Sequence, residues 1–401
     1  MTIARLLTAL CVAAPIAAQQ PPADSARSTP AVAGAAADTA RPFVRGGVYD
    51  KPFQTRLLGR TAIGGYAEAH ARYHRVDGVR DEAGFSAKRF NLFASSRVSD
   101  WVRLGAEIEF EDGADEILLE YAAIDLRLHP SRLTVRGGMV LSPLGRFNLA
   151  HDSPLNEFTD RPLVSTELVG VALSEPGLGA LGQFRAGRRG RVTYEAYLTN
   201  GFHDGLITDS EDGTRIPRGR HNFEDNNGSP AVVGRVAWSP RVGFELGASA
   251  HHGAYNVFDD EGAVVDQRRD VTISVIDFEA TLLGVRLGGE GVSAAVDVPE
   301  GLRGIYSSAQ RGLYVEGVRD FGRGLVRTMP RSTFAAKVRW DYVDFDTGTP
   351  GTSTAQLSAG VNFRPTSDSV LKFDFVRGRR RDEFNNLGEH ALMLFSLATY
   401  F

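Results

Sequence analysis

From about residue 60 to its end, the chain alternates apolar and polar residues with a period of two, not the 3.6 of a helix. The segment WVRLGAEIEFE (101–111) puts valine, leucine, alanine, isoleucine and phenylalanine on one face and mainly charged residues on the other. GYAEAHARYH (65–74) and AQLSAGVNFR (355–364) repeat the pattern. Such two-faced strands occur in soluble β-sandwiches, where the apolar face is a core, and in membrane barrels, where it meets lipid.

The number and spacing of these segments favour the barrel. Sixteen strands are predicted to start near Ala62, Phe85, Trp101, Ile117, Arg132, Leu178, Arg191, Ala231, Arg241, Val271, Val285, Arg311, Thr333, Thr354, Val370 and Glu389. Short turns are expected after even strands, except for 322–332. Long polar connections are expected after odd strands, at 77–84, 111–116, 142–177, 201–230, 253–270, 297–310, 346–353 and 378–388. This layout predicts an all-β fold, a transmembrane antiparallel β-barrel of about 16 strands over residues 60–401.

Two stretches do not follow the simple pattern. Glu120 interrupts the apolar face of its strand, which suggests a β-bulge. Over 269–297 the alternation is ambiguous, so the register of those two strands, and the strand count to within two, stays open.

The N-terminus predicts export. MTIARLLTALCVAAPIAAQQ has an early arginine, an apolar run and small residues, as in a secretory signal peptide over residues 1–18. The Pro/Ala-rich segment 19–59 is interpreted as a periplasmic tail. The only cysteine, Cys11, lies in the signal peptide, so the mature chain is expected to contain no disulfide.

Charge and motifs exclude several function classes. The net charge of −4 gives no basic balance for nucleic acid. No G-x-S-x-G element occurs, and no enzyme activity or cofactor is expected. His70 and His74 would lie about 13 Å apart on one strand, too far for one metal ion, so no metal is expected. Arginine greatly outnumbers the four lysines, which suits a confined polar channel but also a GC-rich genome.

Over nearly all of residues 60–401 the chain resembles the phosphate-selective porin O and P family. The resemblance lies in YLTNGF (197–202), in Asp277 and Glu290, in VRWDYVDFD (338–346) and in the third long connection. In that connection, SPLGRFNLAHDSPLNEFTDRPLV, the matching residues are Pro143, Leu144, Phe158, Asp160 and Arg161. The resemblance implies a pore for small anions, with the third loop folded into the lumen and arginine and lysine on the walls. The chain departs from the family in having few lysines and many acidic residues on the predicted lumen face.

The third connection is the strongest candidate site. Its apolar residues favour burial inside the barrel, although packing on the outer rim or in a trimer contact would also bury them. A loop in the lumen would narrow the pore, and its charged residues would edge the constriction: Arg146, His151, Asp152, Glu157, Asp160 and Arg161.

The inward face of the strands supplies a predicted lumen lining. Its cations are Arg72, Arg89, Arg103, Arg127, Arg136, Arg185, Arg191, Arg235, Arg286, Lys337 and Arg339. Acids alternate with them, so cross-strand pairing is the expected role of most of these residues.

The last strand, HALMLFSLATYF, resembles the C-terminal signal read by the barrel-assembly machinery, with Phe395, Leu397 and Phe401 on its lipid face. The sequence therefore predicts an outer-membrane porin of a Gram-negative bacterium, expected to be a homotrimer in contact with lipid and lipopolysaccharide. It would pass small hydrophilic solutes or anions. The alternatives are a non-conducting structural or adhesive barrel and a soluble β-sandwich.

Overall fold

The computed structural model describes residues 51–52, 55–57, 60–209 and 213–401. The predicted signal peptide and most of the predicted tail lie outside these residues. Within the segment assigned to the tail, Thr55–Leu57 forms a short strand that pairs with Thr61–Ile63 at the start of the first barrel strand. Among the described residues, no helix is both long and apolar enough to cross a membrane.

Sixteen antiparallel strands close into one barrel, as the alternation predicts. They are β1 Thr61–Val76, β2 Val79–Arg97, β3 Val102–Glu111, β4 Glu116–His129, β5 Leu133–Leu141, β6 Ser174–Ala186, β7 Gly190–Thr199, β8 Ala231–Arg241, β9 Phe244–Ala254, β10 Asp270–Leu282, β11 Val285–Val296, β12 Ala309–Phe321, β13 Thr333–Asp344, β14 Ser353–Arg364, β15 Ser369–Arg381 and β16 Leu387–Tyr400. Each strand pairs with the next along the chain, and β16 pairs with β1. Because the sheet closes on itself, none of these sixteen strands is an open edge strand.

The connections sort by length between the two rims, here called the short-turn rim and the long-loop rim. The 322–332 connection is the long exception at the short-turn rim, as predicted. The connection predicted over 77–84 is wrong: β1 and β2 run on to a two-residue turn, Asp77–Gly78. Both turn residues have positive φ (47° and 81°), the geometry of a tight Asp-Gly hairpin whose twist matches that of its strands.

The two irregular stretches now have defined pairings. Between β3 and β4 the register shifts at Glu107 and Ile108, which pair with Tyr121 and Leu119. Glu120 is left without a partner in the ladder, which confirms the predicted bulge. Strands β10 and β11 pair without a break from Val271↔Val296 to Leu282↔Val285.

The outward face of the barrel carries a continuous set of exposed apolar side chains. It includes Leu104, Ile108, Ile124, Leu126, Leu178, Leu198, Val232, Val236, Ile276, Leu313, Trp340, Leu357, Phe373, Phe375, Phe395 and Leu397. A soluble sandwich would bury these positions, so that alternative is wrong. A belt of this size requires an apolar surrounding such as lipid.

The chain terminus completes the seam between β16 and β1. The backbone N–H of Phe401 donates to the Gly65 carbonyl (3.0 Å), and the Gly65 N–H donates to the Phe401 carbonyl (3.2 Å). The Phe401 ring stacks on Phe90 with 5.4 Å between centroids. A Cβ at Gly65 would lie 2.5 Å from the Phe401 ring, so glycine allows the terminal aromatic to lie flat over β1.

Candidate functional site

The third loop, residues 142–173 between β5 and β6, folds into the lumen. The loop turns inward at Gly145, whose φ of +78° favours glycine. There the Gly145 N–H donates to the Ser249 hydroxyl of β9 (2.9 Å), and the Phe147 N–H donates to the Glu290 carboxylate of β11 (2.6 Å). Strands β9 and β11 therefore hold the loop at the point where it enters the lumen.

One face of the loop packs into a hydrophobic cluster inside the barrel, here called the lumen core. The third loop contributes Leu144, Val164, Leu168, Val169 and Leu173; the fourth loop (200–230) contributes Phe202, Leu206, Ile207 and Ile216; and the wall contributes Val233, Val271, Ile273, Val275, Val292, Ala294, Val296 and Val343. Burial of these side chains, at about 1.5–3 kcal/mol for a large aliphatic one, fixes the loop against the β8–β11 wall and β13.

The opposite face of the loop is anchored by ion pairs. Glu157 binds Arg286 (2.6 Å) and Arg364 (3.2 Å) and accepts a hydrogen bond from Asn362 (2.7 Å). Its backbone carbonyl also accepts from Lys337 (2.5 Å). Burial would raise the pKa of Glu157, but the two arginines outweigh this and lower it, so the carboxylate stays charged.

The segment that carries the family resemblance lies against β13. The Phe158 ring is bracketed by Lys337 and Arg339, whose cationic centres lie 4.8 and 4.5 Å from its centroid. Such cation–π contacts hold an aromatic side chain in a charged lumen. Asp160 then binds Arg72 of β1 (2.7 Å), and both side chains are about one-third exposed.

Between the loop and strands β1–β4 lies a buried group of carboxylates, here called the acidic cluster: Glu107, Glu109, Glu120 and Asp152. The Asn91 amide donates to Glu107 (2.9 Å), Glu109 (2.9 Å) and Glu120 (3.3 Å). Lys51, which precedes the barrel, binds both Glu107 (2.5 Å) and Asp152 (2.8 Å).

Two further predicted loop residues adjoin this cluster. His151 is fully buried, with Nδ1 2.8 Å from the Asn148 carbonyl and Nε2 against the Glu120 carboxylate. Burial would lower the pKa of His151, but Glu120 outweighs that and raises it. Arg161 donates to the Val171 carbonyl (3.2 Å). Arg146 pairs with Glu279 of β10 at another part of the lumen.

The predicted lumen lining divides into two groups. At least seven of the eleven cations form ion pairs: Arg72, Arg89, Arg136, Arg235, Arg286, Lys337 and Arg339. Arg127 donates to the Asp100 carbonyl at the short-turn rim (2.5 Å), and Arg185, near the same rim, is exposed. Arg103 and Arg191 also lie close to the short turns. The structure therefore does not bring all eleven into one ring.

Sequence reasoning did not identify Lys51 or Asn91 as site residues. Lys51 lies in the segment predicted as tail, about 56 positions from its partner Glu107 in the chain. One usable signal was its rarity, since the chain has four lysines in all.

The chain is similar to known proteins mainly in its fold. No family model matches the chain. An uncharacterized protein of Aquifex aeolicus is 27% identical over 192 residues, which cover 46% of this chain and 41% of that protein. The match thus spans less than half of that relative's length.

Solved structures resemble a much larger share of the chain. An anion-selective porin from Comamonas acidovorans superposes with a TM-score of 0.56 at 11% identity, covering 85% of this chain and 99% of that one. The outer membrane channel DcaP of Acinetobacter baumannii gives 0.55 at 12% identity, covering 87% and 100%. OprB of Pseudomonas putida gives 0.55 at 11% identity, covering 85% and 94%. At these identities the similarity shows a shared porin-type barrel fold.

Proposed function

We propose that the chain is an outer-membrane porin of a Gram-negative bacterium that lets small hydrophilic solutes diffuse passively. The supporting observation is the combination of an apolar outer belt with a third loop held across a charged lumen. The loop would act as a sieve, edged by its partly exposed charged residues Arg146, Glu157, Asp160 and Arg161, whereas His151 and Asp152, predicted for the same edge, are buried behind it. The lining cations and acids would filter solutes by charge.

An anion or phosphate preference is a finer proposal that rests on the family resemblance. The layout of charges in the lumen gives this preference little support, because at least seven of the eleven lining cations are ion-paired. We therefore propose a general pore, with its ion preference to be read from reversal potentials. No catalytic role is assigned to the lumen residues.

The remaining parts of the proposal concern export, assembly and partners. Residues 1–18 would direct export, and 19–59 would form the periplasmic tail. Phe395, Leu397 and Phe401 would be read by the barrel-assembly machinery. The mature protein would form a homotrimer in contact with lipid and lipopolysaccharide. The porin-type barrel fold supports placement in the outer membrane, which requires export and assembly of the chain.

A second function, a non-conducting structural barrel, is favoured by one specific observation. The third and fourth loops fill part of the lumen with a hydrophobic cluster, as a plug would. A plug and a sieve differ in whether a continuous aqueous path remains beside the ion-paired face of the loop.

Planar-bilayer recording of the purified, folded protein separates the two functions. A porin gives stepwise current, and a KCl gradient then gives the sign of its ion preference. A shortened variant lacking 155–166 should conduct more than the wild type. If the wild-type protein carries no current and the shortened variant does, the third loop is a plug and the proposed porin function is wrong.

A further inference from the structure

The ammonium group of Lys51 occupies a built site in the lumen. Its Nζ lies 2.5 Å from Glu107, 2.8 Å from Asp152 and 4.6 Å from the centroid of the Phe93 ring. Two carboxylates and an aromatic face are the groups that recognise an alkylammonium ion. The Lys51 side chain is only 7% exposed, so the group is enclosed rather than resting on a surface.

More carboxylates lie near Lys51 than are needed to balance its single positive charge. Asp152 also accepts from the Tyr400 hydroxyl (3.0 Å), while Glu109 and Glu120 adjoin through Asn91. The cations facing the acidic cluster from other elements are His151 at Glu120, Arg89 3.8 Å from Glu109, and Arg161. The side-chain amide oxygen of Asn91 (Oδ1) is buried and has no hydrogen-bond partner.

We propose that this arrangement is a binding site for the primary ammonium groups of small cationic solutes, such as linear diamines, and that Lys51 occupies it as a tethered competitor. The site comprises Glu107, Asp152 and Phe93, with Asn91 holding the neighbouring carboxylates in place. A second ammonium group on the solute would be met by the remaining acids of the cluster. The inference deepens the proposed function, since it names a class of solute for the same lumen.

An ammonium ion fits these residues better than a metal ion does. The described residues contain no group of three or more His, Cys, Asp or Glu side chains placed to hold a metal. Glu120 is engaged by His151, and the Phe93 ring offers a π face, which recognises organic cations.

Titration calorimetry of the detergent-solubilised full chain tests the site without requiring conductance. Pentane-1,5-diamine is titrated into the wild type, Lys51→Met and the control Lys88→Met. Lys88 pairs with Asp112 (3.0 Å), which is not a member of the acidic cluster. A side chain tethered by a short segment has an effective concentration in the millimolar range, so its removal should tighten diamine binding by about tenfold or more. Lys88→Met should bind as the wild type does.

A double variant checks that the gain comes from this site. Lys51→Met with Glu107→Gln should lose most of the gained affinity, because one of the two carboxylates is neutralised. Far-UV circular dichroism and heat-modifiable gel mobility confirm folding. If Lys51→Met does not fold, Lys51→Gln, which keeps a donor for Glu107, is expected to show the same gain. Equal diamine affinity in the wild type and the folded Lys51 variant would overturn the proposal.

Current recording separates failure of this inference from failure of the porin function. If the wild type conducts, diamine should reduce the current of Lys51→Met at concentrations about tenfold lower than those needed for the wild type. Conductance without a Lys51-dependent diamine effect rejects the ammonium site alone. Diamine binding in a barrel that carries no current rejects the porin function alone.

Discussion

The two faces of the third loop are held in the lumen by different forces. Towards β8–β11 and β13 the loop buries aliphatic side chains such as Leu168, which is fully buried, in a core shared with the fourth loop. On its other face the loop makes ion pairs with the wall: Asp160 binds Arg72 of β1, and Glu157 binds Arg286 of β11 and Arg364 of β14. Hydrophobic burial is non-directional and strong, whereas ion pairs near water are weaker but specific in geometry.

The difference suggests a division of labour within one loop. The apolar face supplies most of the free energy that keeps the loop in the barrel. The charged face fixes which functional groups edge the remaining lumen, and its ion pairs can exchange with solutes. Substitutions on the apolar face should therefore cause the largest losses of stability, and those on the charged face should cause smaller losses and, at the loop edge, also change ion preference.

The largest effect is expected from Leu168→Ala. Leu168 lies in the helical turn Ser165–Val169, and its truncation leaves a cavity in the lumen core. The free energy of unfolding should fall by about 2–5 kcal/mol. Urea unfolding in detergent, followed by tryptophan fluorescence, measures the change.

A matched control is Leu178→Ala on β6, an outward residue that is 61% exposed. It removes the same atoms from the lipid-facing belt and should cost much less. If both substitutions destabilise the barrel equally, the lumen core does not hold the loop.

Sequence reasoning found the barrel because period two survives wherever one face is apolar and the other polar. It failed to assign the register at β10 and β11 because apolar residues lie on both faces there. Val275 points into the lumen core, while Ile276 beside it is 65% exposed on the outer face. A residue buried under a loop and one facing lipid look alike in a sequence, so the lumen core could not be predicted in full.

The charged face of the loop could be predicted only in part, because the sequence shows the charged residues but not their partners. The six residues predicted to edge a constriction were recognised as charges within an apolar loop, and all six lie in the loop that enters the lumen. Their partners were not predictable, since Glu157 and Arg364 are 207 positions apart in the chain. Lys51 was missed because its strong contacts join it to strands and a loop far along the sequence.

An intermediate effect is expected from Glu157→Gln on the charged face. The amide cannot neutralise Arg286 and Arg364, so the hydrogen bonds to charged groups weaken and the free energy of unfolding should fall by about 1–3 kcal/mol. With one carboxylate fewer at the loop edge, the reversal potential in a KCl gradient should shift towards anions. Glu300→Gln, on an exposed loop between β11 and β12, is the control and should leave both quantities unchanged. A loss of stability without a shift in reversal potential would place Glu157 away from the ion path.

The smallest effect, and the sharpest test of the charged face, is the pH dependence due to His151. Both ring nitrogens face acceptors, the Asn148 carbonyl and the Glu120 carboxylate, so the imidazolium makes both bonds and the neutral ring makes one. The folded-state pKa of His151 is raised above the ordinary 6.5 because Glu120 outweighs the effect of burial. The stabilisation is therefore complete below pH 6.5 and is lost as the pH rises through the folded-state pKa. Losing one hydrogen bond should cost about 0.5–1.5 kcal/mol as the pH rises from 6 through the folded-state pKa. Subtracting the same urea series for His151→Gln removes the titration of every other group, so an identical pH slope in the variant and the wild type would show that His151 does not hold the loop through its charge.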